Sequence, residues 1–417
     1  MKFGNFSIAR QMESRIETDT LHAVGRAAKE TGVKPYLVGG SVRDLIVGAP
    51  TYPDLDITLV GATSETFDDI ARRVSGEITK RSQFGTVAMK VGGYGFDLII
   101  ARAESYPMPG SLPVVRPGTL AEDLARRDFS VNAMAVSLAE ATWGKLHDPQ
   151  GGLADLRART LRIPYPDSFR DDATRILRAA RYASRLSLTL SPETEDHLLG
   201  SVGFISTISP ARMRDELERV FLESQAGAAL GLLQEWGALS AISPALEYEA
   251  EAWSLYSERT DGLSRQGRIA VGYAILGAGM SVPESTGVAA RLKPGARARR
   301  ALRDAAGLIA RIDGGEFEGA ANSAVAEALD ALSELSVMGC AIVRAGSPIG
   351  GRLDEYLRVH RPLRTMLTGD DIIALGVPQG PEVGRIQRWL RAARQDGLIE
   401  SRVEEEAFVL GRLKASQ

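Results

Sequence analysis

Residues 37 to 60 read LVGGSVRDLIVGAPTYPDLDITLV, and the fold is decided by how this stretch is read. A short apolar run, Tyr36, Leu37 and Val38, meets the glycine pair Gly39 and Gly40. Ser41, Val42, Arg43 and Asp44 open an amphipathic segment. Pro53 then breaks the chain, and Asp54-Leu55-Asp56 leads into Ile57, Thr58, Leu59 and Val60. The pattern predicts a strand, a tight glycine turn, a short helix and a second strand. Residues two apart on a strand share a side, so Asp54 and Asp56 project two carboxylates one way and Leu55 points the other. Two hard oxygen donors at this spacing suit Mg²⁺, which takes one or two carboxylates together with phosphates of a substrate. The glycines let backbone N–H groups approach a triphosphate closely. Singly, a D-x-D pair is an ordinary surface feature and a glycine pair an ordinary turn. Their order carries the information.

The totals bound the rest. A chain of 417 residues is long enough for two to four domains, and 44% hydrophobic with 25% charged residues is ordinary for a globular protein. No apolar run reaches the ~18 residues that span a bilayer. The opening MKFGNFSIAR lacks the apolar centre of a signal peptide. The single cysteine, Cys340, excludes an intrachain disulfide framework and a cysteine-based zinc site. A cytoplasmic protein without membrane contact is expected. The net charge of −3 rules out a uniformly basic coat but leaves room for a local basic groove, because the arginines cluster.

Outward from the opening stretch, residues 8 to 31 read as a helix stopped by Gly32, and a further helix is expected around Ser64 to Val74. Residues 77 to 101 read as two strands joined at Gly92-Gly93, with Val87, Met89 and Val91 alternating. Asp97 lies among apolar residues on the second strand, so it needs a partner. It is either a third acid beside the metal site or an ion-pair partner of Arg102. Residues 103 to 120 carry four prolines and two glycines, which predicts an irregular loop, either mobile over a substrate or a plain surface connection.

Next comes EDLARRDFSVNAMAV, residues 122 to 136. Arg126 and Arg127 make a compact phosphate-facing pair beside Asp128, since a guanidinium offers a planar fork of donors. Asn132 can meet a ribose hydroxyl or the backbone. At 170 to 184 stands RDDATRILRAARYAS. Asp172 and Arg175 are three apart and share one face if the segment is helical. They form either an exposed salt bridge or an acceptor–donor pair that imitates a Watson–Crick edge. In the second case Asp172 accepts from the exocyclic amine of C or A. At 209 to 222, SPARMRDELERVFL places Arg212 and Glu216 four apart, able to pair. Beyond this the chain reads as helical. Residues 289 to 311 hold Arg291, Lys293, Arg297, Arg299, Arg300 and Arg303, either a solvated face or a set for backbone phosphates. Residues 367 to 399 combine a glycine- and proline-rich hinge, Gly376 to Gly384, with a helix showing Arg385, Arg388, Arg391 and Arg394.

In this order the motifs GGSVRD, D-L-D, RRDFSVNAMA, HDPQGG with Asp155, DDATR followed by LRAARYA, and the 209 to 222 segment resemble the class II tRNA nucleotidyltransferases and bacterial poly(A) polymerases, within the polymerase-beta-like nucleotidyltransferase superfamily. The final helices resemble the tail of the same family. Asp171 stands where the family more often has Glu. The resemblance implies an α/β head followed by an all-helical neck, body and tail, with limits near 1–140, 141–222, 223–345 and 346–417. It implies template-independent addition of nucleotides of the tRNA 3′-CCA end from CTP and ATP, with tRNA as partner and two-metal Mg²⁺ chemistry. Residue by residue, it implies that Asp54 and Asp56 are catalytic and hold the metal. Gly39, Gly40, Ser41, Arg43, Arg126 and Arg127 would bind the triphosphate, Asp128 and Asn132 the ribose, and Asp172 and Arg175 the base. Asp97, Arg178, Arg181, Arg212 and Glu216 would give support. The motifs do not separate CCA-adding from CC-adding or A-adding enzymes. A poly(A) polymerase is less well matched, because the segment KRSQFGTVAMKV lacks the histidine usual there. A non-catalytic tRNA-binding relative would have lost the acids that this chain keeps.

Overall fold

The structure is a computed structural model that describes residues 8–15, 18–48, 55–82 and 85–415. The chain divides into two compact units, Met1–Ser209 and Pro210–Gln417.

The first unit is built on a mixed sheet. Its strands are β1 (Lys34–Val38), β2 (Leu55–Val60), β3 (Glu77–Ser82), β4 (Thr86–Val91) and β5 (Tyr94–Ile100). A separate antiparallel pair follows, β6 (Arg102–Ser105) with β7 (Val114–Pro117), before β8 (Ala135–Ser137) and β9 (Leu146–His147) rejoin the main sheet. The spatial order among the described residues is β3-β4-β5-β2-β1-β8-β9. The strand, glycine turn, helix and strand expected of the opening stretch are present as β1, Gly39, the helix Gly40–Val47 and β2. β2 is central, and Ile57, Thr58 and Leu59 are all buried, as a strand covered on both faces requires. In β4 and β5 the alternation holds: Val87, Met89, Phe96 and Leu98 are buried and Asp97 faces the other way.

Three expectations needed correction. Residues 8 to 31 form two helices, Ile8–Arg15 and Thr18–Glu30, rather than one. Residues 77 to 101 form three strands rather than two. The predicted turn at Gly92-Gly93 is there, but a second reversal precedes Thr86, where Gly85 takes φ +70°. Residues 103 to 120 are not an irregular loop throughout. Arg102 pairs with Pro117 and Ser105 with Val114 in a hairpin, and most of the prolines are confined to its tip. Pro117 is tolerated because β7 is an edge strand of a two-stranded sheet.

The second unit is helical throughout its described length. The helix Arg265–Ala278 is buried almost all round from Ile269 to Ala278. It packs on the helices Ala296–Asp313 and Glu334–Val343. Gly277 allows the close approach, since a Cβ there would lie 2.2 Å from the Leu302 carbonyl oxygen. Leu367, Ile372, Ile386, Leu390 and Val409 form a separate core under the last helices. The expected arginine-bearing helix runs Pro381–Gln395, with Pro381 in its first turn, where a proline lacks no helical bond.

Candidate active site

The register of the sheet brings chemistry-bearing residues to one end of it. β2 and β5 are parallel, and Asp56 stands opposite Asp97. Paired residues on neighbouring strands project to the same face, so two half-buried carboxylates lie side by side. Asp97 therefore lies beside Asp56, and Arg102 directs its Nε to Glu104 at 2.9 Å. Asp54 lies outside the described residues, and among those described no cluster of three acids, histidines or cysteines could hold a metal ion. The oxygen donors of Asp56 and Asp97 nevertheless match what a hard divalent cation prefers.

The same end of the sheet receives the glycine turn. β1 runs antiparallel to β2 with Leu37 opposite Ile57, so the chain leaves β1 for Gly39 beside the entry of β2. Gly39 has φ +72°, and its N–H is spent on the Met134 carbonyl at 3.1 Å. It therefore serves by being small: a Cβ there would lie 2.5 Å from the Arg127 guanidinium. The helix Gly40–Val47 starts next, and its first amides have no acceptor within the helix, a ready anion site.

The arginines of the RRD segment complete this end. Arg126 donates to Asp123 at 2.7 Å and to Glu104 at 3.0 Å. Arg127 donates to the other Asp123 oxygen at 3.1 Å. Burial works against ionisation of Asp123, but the charges of Arg127 and Arg126 outweigh it and lower its pKa. The Nε of Arg127 is buried with no acceptor among the described residues. Buried donors are ordinarily paired, so this unmet N–H sets Arg127 apart from the other guanidinium donors at this end of the sheet. Asp123 and Glu104 were missed in the sequence. The signal for Asp123 was its spacing of three and four before the two arginines on a helix. Glu104 is long-range and left no local signal.

Comparison with known proteins bears on this constellation. Residues 35–162 match the poly A polymerase head domain, and residues 187–249 match a probable RNA and SrmB-binding site of polymerase A. The A-adding tRNA nucleotidyltransferase of Aquifex aeolicus is 37% identical over 230 residues, which are 54% of this chain but only 28% of that protein. The CC-adding tRNA nucleotidyltransferase of Deinococcus radiodurans is 33% identical over 392 residues, 91% of this chain and 90% of its own. The chain belongs to the tRNA nucleotidyltransferase family. The fold agrees: the Thermotoga maritima CCA-adding enzyme complexed with tRNA-CCA superposes with a TM-score of 0.80 at 22% identity, over 98% of this chain and 99% of that one.

In this nucleotidyltransferase several expected ligand-binding residues are also structural. Asp128 is buried. One of its oxygens accepts from the Phe129 N–H and the Asn132 amide, each at 2.9 Å, and the other accepts from Arg178 Nε at 2.9 Å. Burial alone would raise its pKa, but Arg178, the Asn132 amide and the charge of Arg175 hold it down at about 2. Asn132 accepts in turn from buried Arg43, whose Nε donates to Asp44 at 2.8 Å. Arg43, Arg178, Arg181 and Arg185 all lie with their guanidinium carbons 5.1–5.9 Å from the centre of the Tyr182 ring.

Asp172 and Arg175 do not share a helical face. Asp172 is extended (φ −140°, ψ 92°), between the helices Ser168–Asp171 and Thr174–Leu186. Its carboxylate causes the break by accepting from the Thr174 N–H at 3.0 Å and hydroxyl at 2.6 Å, a local bond that competes with helix. Arg175 is buried and donates to the Arg126 carbonyl at 2.8 Å, to Ser168 Oγ at 2.5 Å and to the Tyr165 hydroxyl at 3.2 Å. It thus clamps the RRD segment through its backbone. The helix Pro210–Phe221 carries Arg212 and Glu216 in the second unit, where buried Glu216 accepts from Arg219 at 2.8 Å.

Proposed function

We propose that the chain adds nucleotides to the 3′ end of tRNA from CTP or ATP, releasing pyrophosphate. The observation that carries this reading is the meeting, at one end of the sheet, of the Asp56–Asp97 register, the helix N-terminus behind Gly39 and the arginine pair held by Asp123. Asp56 and Asp97, with Asp54, would hold Mg²⁺. Such an ion, when bound, lowers the pKa of the attacking 3′-hydroxyl and offsets phosphate charge. The chain's own residues supply position and charge, which is most of what phosphoryl transfer requires. The amides that open the helix Gly40–Val47 receive phosphate oxygens, and Arg127 offers them its unmet Nε. Arg126 stays tied to two carboxylates, so its guanidinium is already oriented when substrate arrives. Asp128 and Asn132 shape the ribose end through their locked network, and Asp172 presents a half-exposed carboxylate to an exocyclic amine.

The relatives above bear three different specificities, so the test must separate them. Incorporation of labelled CTP or ATP is followed on tRNA transcripts ending before CCA, after C and after CC. Full CCA on the first transcript is the result of an autonomous CCA-adding enzyme. Arrest after CC, or A addition to the third transcript alone, assigns a partial enzyme. Long A tails would move the assignment to a poly(A) polymerase, and no incorporation on any transcript overturns the proposal.

A further inference from the structure

The second unit contains a cleft of about 580 Å³ along the helix Ala296–Asp313. Its lining includes Arg299, Arg300, Arg303, Asp304, Gly307 and Arg311. Four guanidinium groups in one concavity are costly in mutual repulsion unless an anion is expected there. Two of them are answered internally. Arg300 donates to Asp304 at 3.2 Å, and Arg311 is held by Glu316 at 2.6 Å. Asp304 is further occupied by the N–H of Ser333 at 3.3 Å and the hydroxyl of Ser336 at 3.4 Å. Arg299 and Arg303 are exposed. Arg299 gives one N–H to the Pro294 carbonyl at 3.2 Å, and no hydrogen bond or ion pair engages Arg303 among the described residues.

Spacing says what kind of anion fits. Arg299, Arg303, Gly307 and Arg311 recur every four residues, so they form one row with steps of about 6 Å and a length of about 18 Å. A single phosphate or nucleotide would engage only one step of that row. A string of phosphates along one nucleic-acid strand, separated by a comparable step, engages all of it. At the third position of the row there is no side chain: Gly307 has nothing within 4 Å of where a Cβ would be, which leaves the floor open to a close backbone. We propose that this cleft binds the phosphodiester backbone of the RNA substrate, with Arg299 and Arg303 as the phosphate-contacting residues. The inference rests on the nucleotidyltransferase reading for the identity of the RNA, but on the cleft alone for where it binds.

The test compares the full chain with the double variant Arg299→Gln/Arg303→Gln and with Arg297→Gln. Arg297 is an exposed arginine of the same helix that does not line the cleft. Binding of a tRNA transcript is measured by fluorescence anisotropy across a potassium chloride series, alongside the KM for ATP and CTP. The double variant is expected to bind tRNA about tenfold or more weakly at moderate salt. Its slope of log affinity against log salt should be shallower by about 2, one per lost contact. The nucleotide KM and the affinity of Arg297→Gln should stay near the unaltered values. Unchanged tRNA affinity in the double variant, while the unaltered chain binds tRNA and incorporates nucleotides, overturns the inference and leaves the function standing. An equal loss in Arg297→Gln also overturns it, since diffuse charge would then explain the binding. Unchanged tRNA affinity with weakened binding of poly-glutamate would give the cleft to an acidic protein instead. Failure of the unaltered chain to bind tRNA at all would overturn the function and this inference together.

Discussion

Gly39 shows how one residue type sets the geometry of the site. Its backbone N–H, which the sequence suggested would meet a phosphate, is already bonded to Met134. What the position demands is the absence of a side chain, because the Arg127 guanidinium passes through the space a Cβ would fill. Gly39→Ala should therefore push Arg127 aside as well as strain a positive φ, at a folding cost on the order of 1–3 kcal/mol. Steady-state kinetics on the variant should show the KM for nucleotide raised at least ~10-fold, because the displaced group is the one proposed to bind phosphate. An unchanged KM would mean that Arg127 does not face the triphosphate.

At the scale of elements, the segment 126–132 is fastened to the helix Thr174–Leu186 by two buried clamps, Asp128 with Arg178 and Arg175 with the Arg126 carbonyl. The folded pKa of Asp128, about 2, is below the ordinary carboxylate value. Its stabilising contribution is thus complete above about pH 4 and is lost as the pH falls through about 2. Asp128→Asn should lower stability at neutral pH by about 3 kcal/mol, because Arg178 loses its partner, and should flatten the acid dependence of thermal unfolding between about pH 4 and pH 2. An unaltered acid limb would remove Asp128 from the clamp. These clamps also mark the limit of what the sequence disclosed. The strand–turn–helix–strand unit and the alternation of β4 and β5 were legible because period and glycines are local signals. The hairpin of β6 and β7 was hidden because proline and glycine content reports the tip and not the strands that flank it. The break at Asp172 was hidden because its cause is one side chain bonding two residues ahead.

At the scale of the molecule, an α/β unit carries the candidate site and a helical unit carries the arginine-lined cleft. The division suits an enzyme that holds a small triphosphate in one place and a large polyanion over a wider surface. The central claim is that the in-register carboxylates of β2 and β5 serve the chemistry. Single-turnover nucleotide incorporation should be measured for Asp56→Asn and Asp97→Asn, with tRNA affinity measured in parallel. The account predicts a rate loss of about 10³-fold or more in both, on the scale of losing a principal charge-positioning group, with tRNA affinity retained. A near-normal rate in Asp56→Asn would contradict it.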